Sequence, residues 1–296
     1  RLAYDTTAPR PIAIDATGDD IVSGPLTYKT VALQGGVDAL GTGQFTLKGD
    51  GEAPIDVTAD ITNAFGTGLV ARIAGEIASA GVNATATQTG TAYAVTADLK
   101  TARLDRLGAL AGLDLEGGLT ARVSGTVGGP SDTLDLDASL SGGRYGGTTL
   151  GDAKVTAKGP LSALEVTLEG RLPADARTVA YRLAGTLADF ASARISAFRA
   201  ATDKESIETV KPFTVTFANG LTVDGLDARL ARGGKAAGQI AATASTGENG
   251  AKTALKLTGI DLEALTAVLG RDTVKGLLEG DAELDGGAGR ASLNAR

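Results

Sequence analysis

The chain has 296 residues, 43% of them hydrophobic but only 4% aromatic and none of them Trp, so Ala, Leu, Val and Ile supply nearly all its apolar surface; that composition suits thin, layered or groove-like packing better than a globule built on large rings. The absence of both Cys and His removes disulfides, thiolate and imidazole metal ligands, thiol nucleophiles and the commonest general base. A formal net charge of −7, with no cluster of Lys and Arg interleaved with aromatics, would repel a phosphate backbone and disfavours a nucleic-acid partner.

Along the chain the dominant signal is period-two alternation, which puts apolar side chains on one face of a strand and polar ones on the other. Early strands are predicted over Ile12 to Ala16, Ile55 to Ile61, Leu69 to Ile77 and Tyr93 to Leu99. The pattern is clearest at Leu119, Ala121, Val123, Gly125 and Val127, which alternate with Thr120, Arg122, Ser124 and Thr126, and at Leu134, Leu136, Ala138 and Leu140, which alternate with Asp135, Asp137, Ser139 and Ser141. It continues through Leu164, Val166 and Leu168, then Val179 to Leu187, then Phe213, Val215 and Phe217. Further strands are predicted over Leu226 to Leu230, Ile240 to Ala244, Leu255 to Leu257 and Gly280 to Leu284. One-sided alternation argues for antiparallel strands with one wet face. The glycines punctuate them: Gly49-Asp50-Gly51, Gly128-Gly129-Pro130, Gly142-Gly143, Gly146-Gly147, Asn219-Gly220 and Gly233-Gly234 are turn signals.

Two segments break the two-residue period. Ala102 to Leu113, with Leu104, Leu107, Leu110 and Leu113, and Asp261 to Gly270, with Leu262, Leu265 and Leu269, each suit a short helix with one apolar stripe. The second has an N-cap in Asp261 and a stop in Gly270. At that length neither stands alone, so each is expected to pack on a neighbouring sheet. Both follow a strand ending in Leu and lead into a Gly-bearing strand, Leu115-Glu116-Gly117-Gly118-Leu119 and Leu278-Glu279-Gly280-Asp281-Ala282, which marks a strand–helix–strand module used twice. The expected organisation is a β-rich segment over 1–100, a repeat unit of short helix then strands over 101–256, and the start of a second unit over 257–296. With Arg1 in place of a Met and no apolar run of about eighteen residues, the chain reads as a segment of a longer protein.

Catalytic motifs are missing: there is no Gly-Lys phosphate loop, no GxGxxG, no GxSxG and no SxxK. Carboxylates are what remains for acid–base or metal chemistry, as Asp19 with Asp20, Asp50 with Glu52, and Asp135 with Asp137. Asp135 and Asp137 fall on the polar face of an alternating strand, and Asp50 and Glu52 flank a Gly, so solvated surface is the stronger reading. The expectation is a protein that is not an enzyme and uses no cofactor or metal.

Residues Val210-Lys211-Pro212-Phe213-Thr214-Val215-Thr216-Phe217-Ala218-Asn219-Gly220-Leu221 resemble the "P-apolar-x-apolar…G-L" strand pair of the TamB family, the inner-membrane subunit of the translocation and assembly module, within the AsmA-like superfamily. The order that follows is similar to that family's recurring strand, Gly-Gly turn, strand, short helix and "L-x-G" strand: Leu226 to Leu230, Gly233-Gly234, a Gly-Gln-Ile-Ala-Ala strand, Leu257 to Leu265, then Leu278-Glu279-Gly280. Gly125-Thr126-Val127-Gly128-Gly129-Pro130 is similar to its "G-x-x-x-x-P" step. The resemblance is strongest over 97–296. It implies a long antiparallel β-sheet curved into a groove with a hydrophobic concave face and a few short amphipathic helices. It also implies a periplasmic protein anchored in the inner membrane of Gram-negative bacteria that moves phospholipid between the membranes with a TamA-like outer-membrane barrel protein as partner.

The residue pattern is compatible with that reading. A sheet with one apolar face and too few helices to cover it must hide that face under a second layer or a ligand. The inward aliphatics Leu119, Val123, Leu136, Val166, Leu183, Val215 and Ile240 are the candidate lipid-groove residues. The alternative is a structural β-solenoid or adhesin-like stalk whose interior is filled by its own side chains.

Overall fold

The computed structural model describes residues 2–4, 12–23, 26–129, 131–174, 177–218, 220–247, 250–271, 274–285 and 288–296. The fold is mainly β, antiparallel throughout its described pairings, with two short α-helices. It divides into two compact units, 1–152 and 153–296.

In the first unit ten strands follow one another: β1 (Leu2–Tyr4), β2 (Ile12–Ser23), β3 (Leu26–Val37), β4 (Gly43–Gly51), β5 (Ile55–Thr62), β6 (Val70–Ile77), β7 (Ala80–Thr89), β8 (Ala92–Thr101), then α1 (Leu104–Leu110), β9 (Leu115–Val127) and β10 (Thr133–Tyr145). Each strand pairs with the next in a simple meander. The division between units falls within β11 (Thr148–Pro160). The second unit continues with β12 (Leu164–Ala174), β13 (Arg177–Ala188), β14 (Ser192–Ala201), β15 (Glu205–Thr209), β16 (Phe213–Thr216), β17 (Thr222–Arg232), β18 (Lys235–Gly247), β19 (Gly250–Asp261), α2 (Leu262–Val268), β20 (Leu277–Asp285) and β21 (Ala288–Ala295). β15 and β16 are two pieces of one interrupted strand, since both lie between β14 and β17.

Each helix interrupts the meander at one end of the strands and draws the sheet around itself. Five strand steps of about 4.8 Å separate β3 from β8. Yet Leu107 and Ala109 of α1, which follows β8, pack on a cluster of Leu26 and Tyr28 from β3, Ala53 from the β4–β5 turn and Ala78 from the β6–β7 turn. The second unit repeats this arrangement: Val179 of β13 and Ile260 of β19, also five steps apart, share a cluster with Leu230 and with Ala264 and Val268 of α2. A flat sheet would hold such residues about 24 Å apart, so both sheets curve toward their helix. Close approach is part of this: a Cβ on Gly238, whose φ is +136°, would lie 2.7 Å from Ile260 Cα.

The expected cap of α2 is in place. The Asp261 carboxylate accepts from the backbone N–H groups of Glu263 (2.9 Å) and Ala264 (3.3 Å), and Gly270 ends the helix at φ +65°. The first helix is shorter than its leucine spacing predicts. It stops at Leu110, its carbonyl end closed by Gly112 at positive φ, and Leu110 and Leu113 are exposed, so only Leu104 and Leu107 face the sheet.

Turn chemistry is confirmed at Gly146-Gly147 and Gly233-Gly234, where both central residues have positive φ and the strands pair directly on either side of the second turn. Two other Gly signals prove to be strand. Gly49-Asp50-Gly51 lies within β4, the chain reversing only afterwards, and Gly142-Gly143 lies within β10, where the register shifts between Ser141 and Arg144. Pro130 and Asn219, from two further turn signals, lie outside the described residues.

Candidate functional site

Strand register decides whether apolar alternation on separate strands adds up to one surface. In the first unit it does. Leu136 stands opposite Val123, and Val123 opposite Ala97. The row then passes through Ala84, Ile73 and Ala59 to Phe45, Gly35 and Ile14. Nine strands thus contribute one residue each to a single line running across the sheet, with no polar residue in it. A neighbouring row toward α1 links Ala121, Leu99, Val82, Gly75, Val57, Leu47 and Leu33 in the same way. Leu119 lies closer still to the helix, opposite Leu140 and the buried Thr101.

The second unit carries a corresponding face. Leu183 stands between Leu168 and Phe198; Val166 opposes Gly185, which opposes Ile195; Val215 stands between Ala193 and Val223; Ile240 stands between Ala228 and Leu257. All seven residues singled out from sequence therefore lie on the apolar face of their own unit, as partial neighbours rather than as one cluster.

Sequence alternation misses Ile195 and Phe198, which both face inward although they are three residues apart. The cause is a β-bulge: Ala184 pairs with Ala197 and Gly185 with Ile195, leaving Ser196 unpaired and inverting the parity. Tyr28 and Val31 are brought to one side by the same device, where Tyr28 pairs with Gly51 and Thr30 with Asp50. A skip of three between apolar residues in an otherwise alternating run is the signal that would have found them.

Burial separates the two ends of this surface. Fully buried side chains gather beside the helices, as Leu230, Ile260, Ala264 and Ala267 do at α2 and Ala78 and Ala80 do near α1. The seven candidates are all half-buried, and Ile240 packs against the cluster at α2. Toward the last strands the face opens further: Leu284 and Leu293 are exposed, and an apolar cleft of about 330 Å³ lies among Leu255, Ala282, Leu284, Gly289 and Ala291.

Charge sits on the opposite face and at the helix ends. Cross-strand pairs hold the polar face together: Arg122 with Asp98 at 2.7 Å, Gln44 with Asp60 at 2.7 Å, Arg229 with Glu208, and Lys252 with Asp285 at 3.3 Å. The hydrogen bond to Asp98 raises the Arg122 guanidinium above its ordinary pKa, so it stays charged at any working pH. At the α2 end the apolar face terminates in an ion cluster. Arg232, opposite Glu205 in register, reaches Glu205 (3.7 Å), Asp261 (3.3 Å) and Glu263 (2.7 Å), and a polar cleft of about 460 Å³ adjoins them. Asp135 and Asp137 are exposed on the polar face, and among the described residues no group of three acidic side chains is placed to hold a metal ion. No described helix is long and apolar enough to cross a membrane.

No protein-family model, no curated protein and no solved structure matches this chain.

Proposed function

We propose that this chain is a non-enzymatic hydrophobic-groove segment that carries phospholipid acyl chains along the apolar faces described above. The observation that supports it most is the nine-strand row from Ile14 to Leu136, uninterrupted by a polar side chain and half-exposed along its length. An acyl chain needs a dry track at about 0.8 kcal/mol per buried CH₂. Aliphatic rows perpendicular to the strands supply one without any single residue acting as a binding site.

The resemblance to the TamB family in the AsmA-like superfamily gives this reading its biological setting. The proposed place is the periplasm, in a protein anchored in the inner membrane, with a TamA-like outer-membrane barrel as partner and outer-membrane biogenesis as the process. Within the face, Val166, Leu183, Val215 and Ile240 would line one unit and Leu119, Val123 and Leu136 the other.

Native mass spectrometry with lipid extraction, on protein purified from a bacterial periplasm, tests the proposal. Phospholipid is expected to co-purify, and to be lost when Leu183→Asp and Val215→Asp are introduced together while circular dichroism still reports the β-sheet. A well-folded, lipid-free protein would instead favour a structural stalk with a self-filled interior.

A further inference from the structure

Large apolar side chains are exposed at both ends of the strands, among them Val22, Leu113, Tyr145 and Leu269 toward the helices. At the opposite end, two turns of each unit display them with no cation in the turn. In the first unit these are Leu40, 84% exposed in the β3–β4 turn, and Phe65, 57% exposed in the β5–β6 loop. In the second they are Phe190 in the β13–β14 turn, 58% exposed, with Phe217 and Leu221 between β16 and β17.

These turns are tied by backbone hydrogen bonds. Ala64 N–H donates to Gly41 O at 2.9 Å, tying the two tips of the first unit together, and the Asp38 carboxylate accepts from Leu40 N–H and Thr42 N–H. In the second unit Phe217 N–H donates to Ala191 O at 2.7 Å. Phe190 itself sits at φ +54° beside Asp189 at +49°, a conformation that bulky residues avoid. Among the described residues the other such non-glycine pair, Ala78 and Ser79, is held by α1, with Arg106 donating to Ser79 Oγ at 2.7 Å. Phe190, by contrast, is more than half exposed.

The tips also continue the apolar face. The row Leu187, Ala193, Val215 and Val223 runs directly below the Phe190 and Phe217 turns, and Val37 and Ile61 lie just before the turns that carry Leu40 and Phe65. None of these turns, 38–42, 63–69, 189–191 or the described part of 217–221, contains Lys or Arg. An anionic surface therefore finds no cation here.

We propose that these tips form a lip on each unit that meets the neutral interface of a zwitterionic bilayer and passes acyl chains onto the adjoining face. The proposal rests on the reading of that face as an acyl-chain track. Apolar side chains insert among headgroups without electrostatic help, and the face that continues from them offers the chains an apolar path.

The chain has no Trp, so Phe190→Trp and Leu40→Trp each create a single fluorescent reporter. With phosphatidylcholine vesicles, emission of both proteins shifts to shorter wavelength and is quenched by brominated acyl chains. Thr243→Trp, on the polar face of β18, is unaffected. Phe190→Gly combined with Phe217→Ser relieves the strained turn, and lowers vesicle binding by about tenfold or more, equivalent to at least 1.4 kcal/mol. Absence of quenching at 190 and 40, quenching that needs phosphatidylglycerol, or equal quenching at 243 each overturns the proposal. A protein partner captured by the tips without vesicle contact overturns it as well. Phospholipid content measured on the same proteins separates the two readings. Lipid absent from wild type refutes the acyl-chain track, whereas lipid retained with vesicle contact absent refutes the lip alone.

Discussion

At the scale of single residues the structure concentrates its polar strain in a few places. The Tyr28 ring is buried in the α1 cluster, and among the described residues its hydroxyl has no hydrogen-bond partner. Burial also pushes the phenol pKa upward, so it stays neutral. Removing an unpaired buried hydroxyl releases a desolvation cost, so Tyr28→Phe is expected to leave stability unchanged or raise it by about 1 kcal/mol. Thermal denaturation reads this directly, and a clear loss would show that the hydroxyl is bonded. Arg232 is the opposite case. It is the shared cation of Glu205, Asp261 and Glu263, and Glu205 is nearly buried. Arg232→Ala leaves three carboxylates facing one another and is expected to lower the thermal midpoint of unfolding. Adding Glu205→Gln should recover part of that loss in a double-mutant cycle; strict additivity would show that the two groups do not interact.

At the scale of elements, helix α2 was the most legible feature of the sequence because its end signals are local, Asp261 at the N-cap and Gly270 at the stop; its buried face is Ala264, Ala267 and Val268, while of the expected leucine stripe Leu262 and Leu265 are partly buried and Leu269 is exposed. Asp261→Ala removes the acceptor of two backbone N–H groups and one partner of Arg232, and is expected to cost about 1–2 kcal/mol by chemical denaturation. A change below a few tenths of a kcal/mol would mean that packing of Ala264 and Val268 alone holds the helix. Among the strands that escaped alternation, β3, β14 and β7 did so for two reasons. In β3 and β14 a single bulge, at Lys29 and at Ser196, inverts parity partway along, so apolar residues three apart share a face. In β7 the inward set is Val82, Ala84 and Ala86 against Asn83, Thr85 and Thr87, too small a contrast to register against its surroundings. Gly142-Gly143 misled in the other direction, because a Gly pair serves a bulge as readily as a turn.

At the scale of the whole molecule, fold class follows from alternation and turn spacing, and the seven groove candidates all fall on apolar faces. Two aspects were not legible. Register is a property of pairs of strands, so the continuity of Leu136, Val123, Ala97 and Ala84 into one row cannot be read from any one of them. The curling of each sheet about its helix depends on contacts between residues such as Val179 and Ile260, which are far apart in sequence and five strands apart in the sheet. Both follow once long-range pairing is known.

If, as we propose, one face of the sheet carries lipid and the other does not, neighbouring residues of β9, which alternate between the faces, test it most sharply. A photo-crosslinking amino acid is placed in turn at positions 119 to 123, and adducts are identified by mass spectrometry after irradiation in the periplasm. Phospholipid adducts are expected at Leu119, Ala121 and Val123 and none at Thr120 or Arg122. Equal labelling at odd and even positions, or no lipid at any of them, would contradict the proposal.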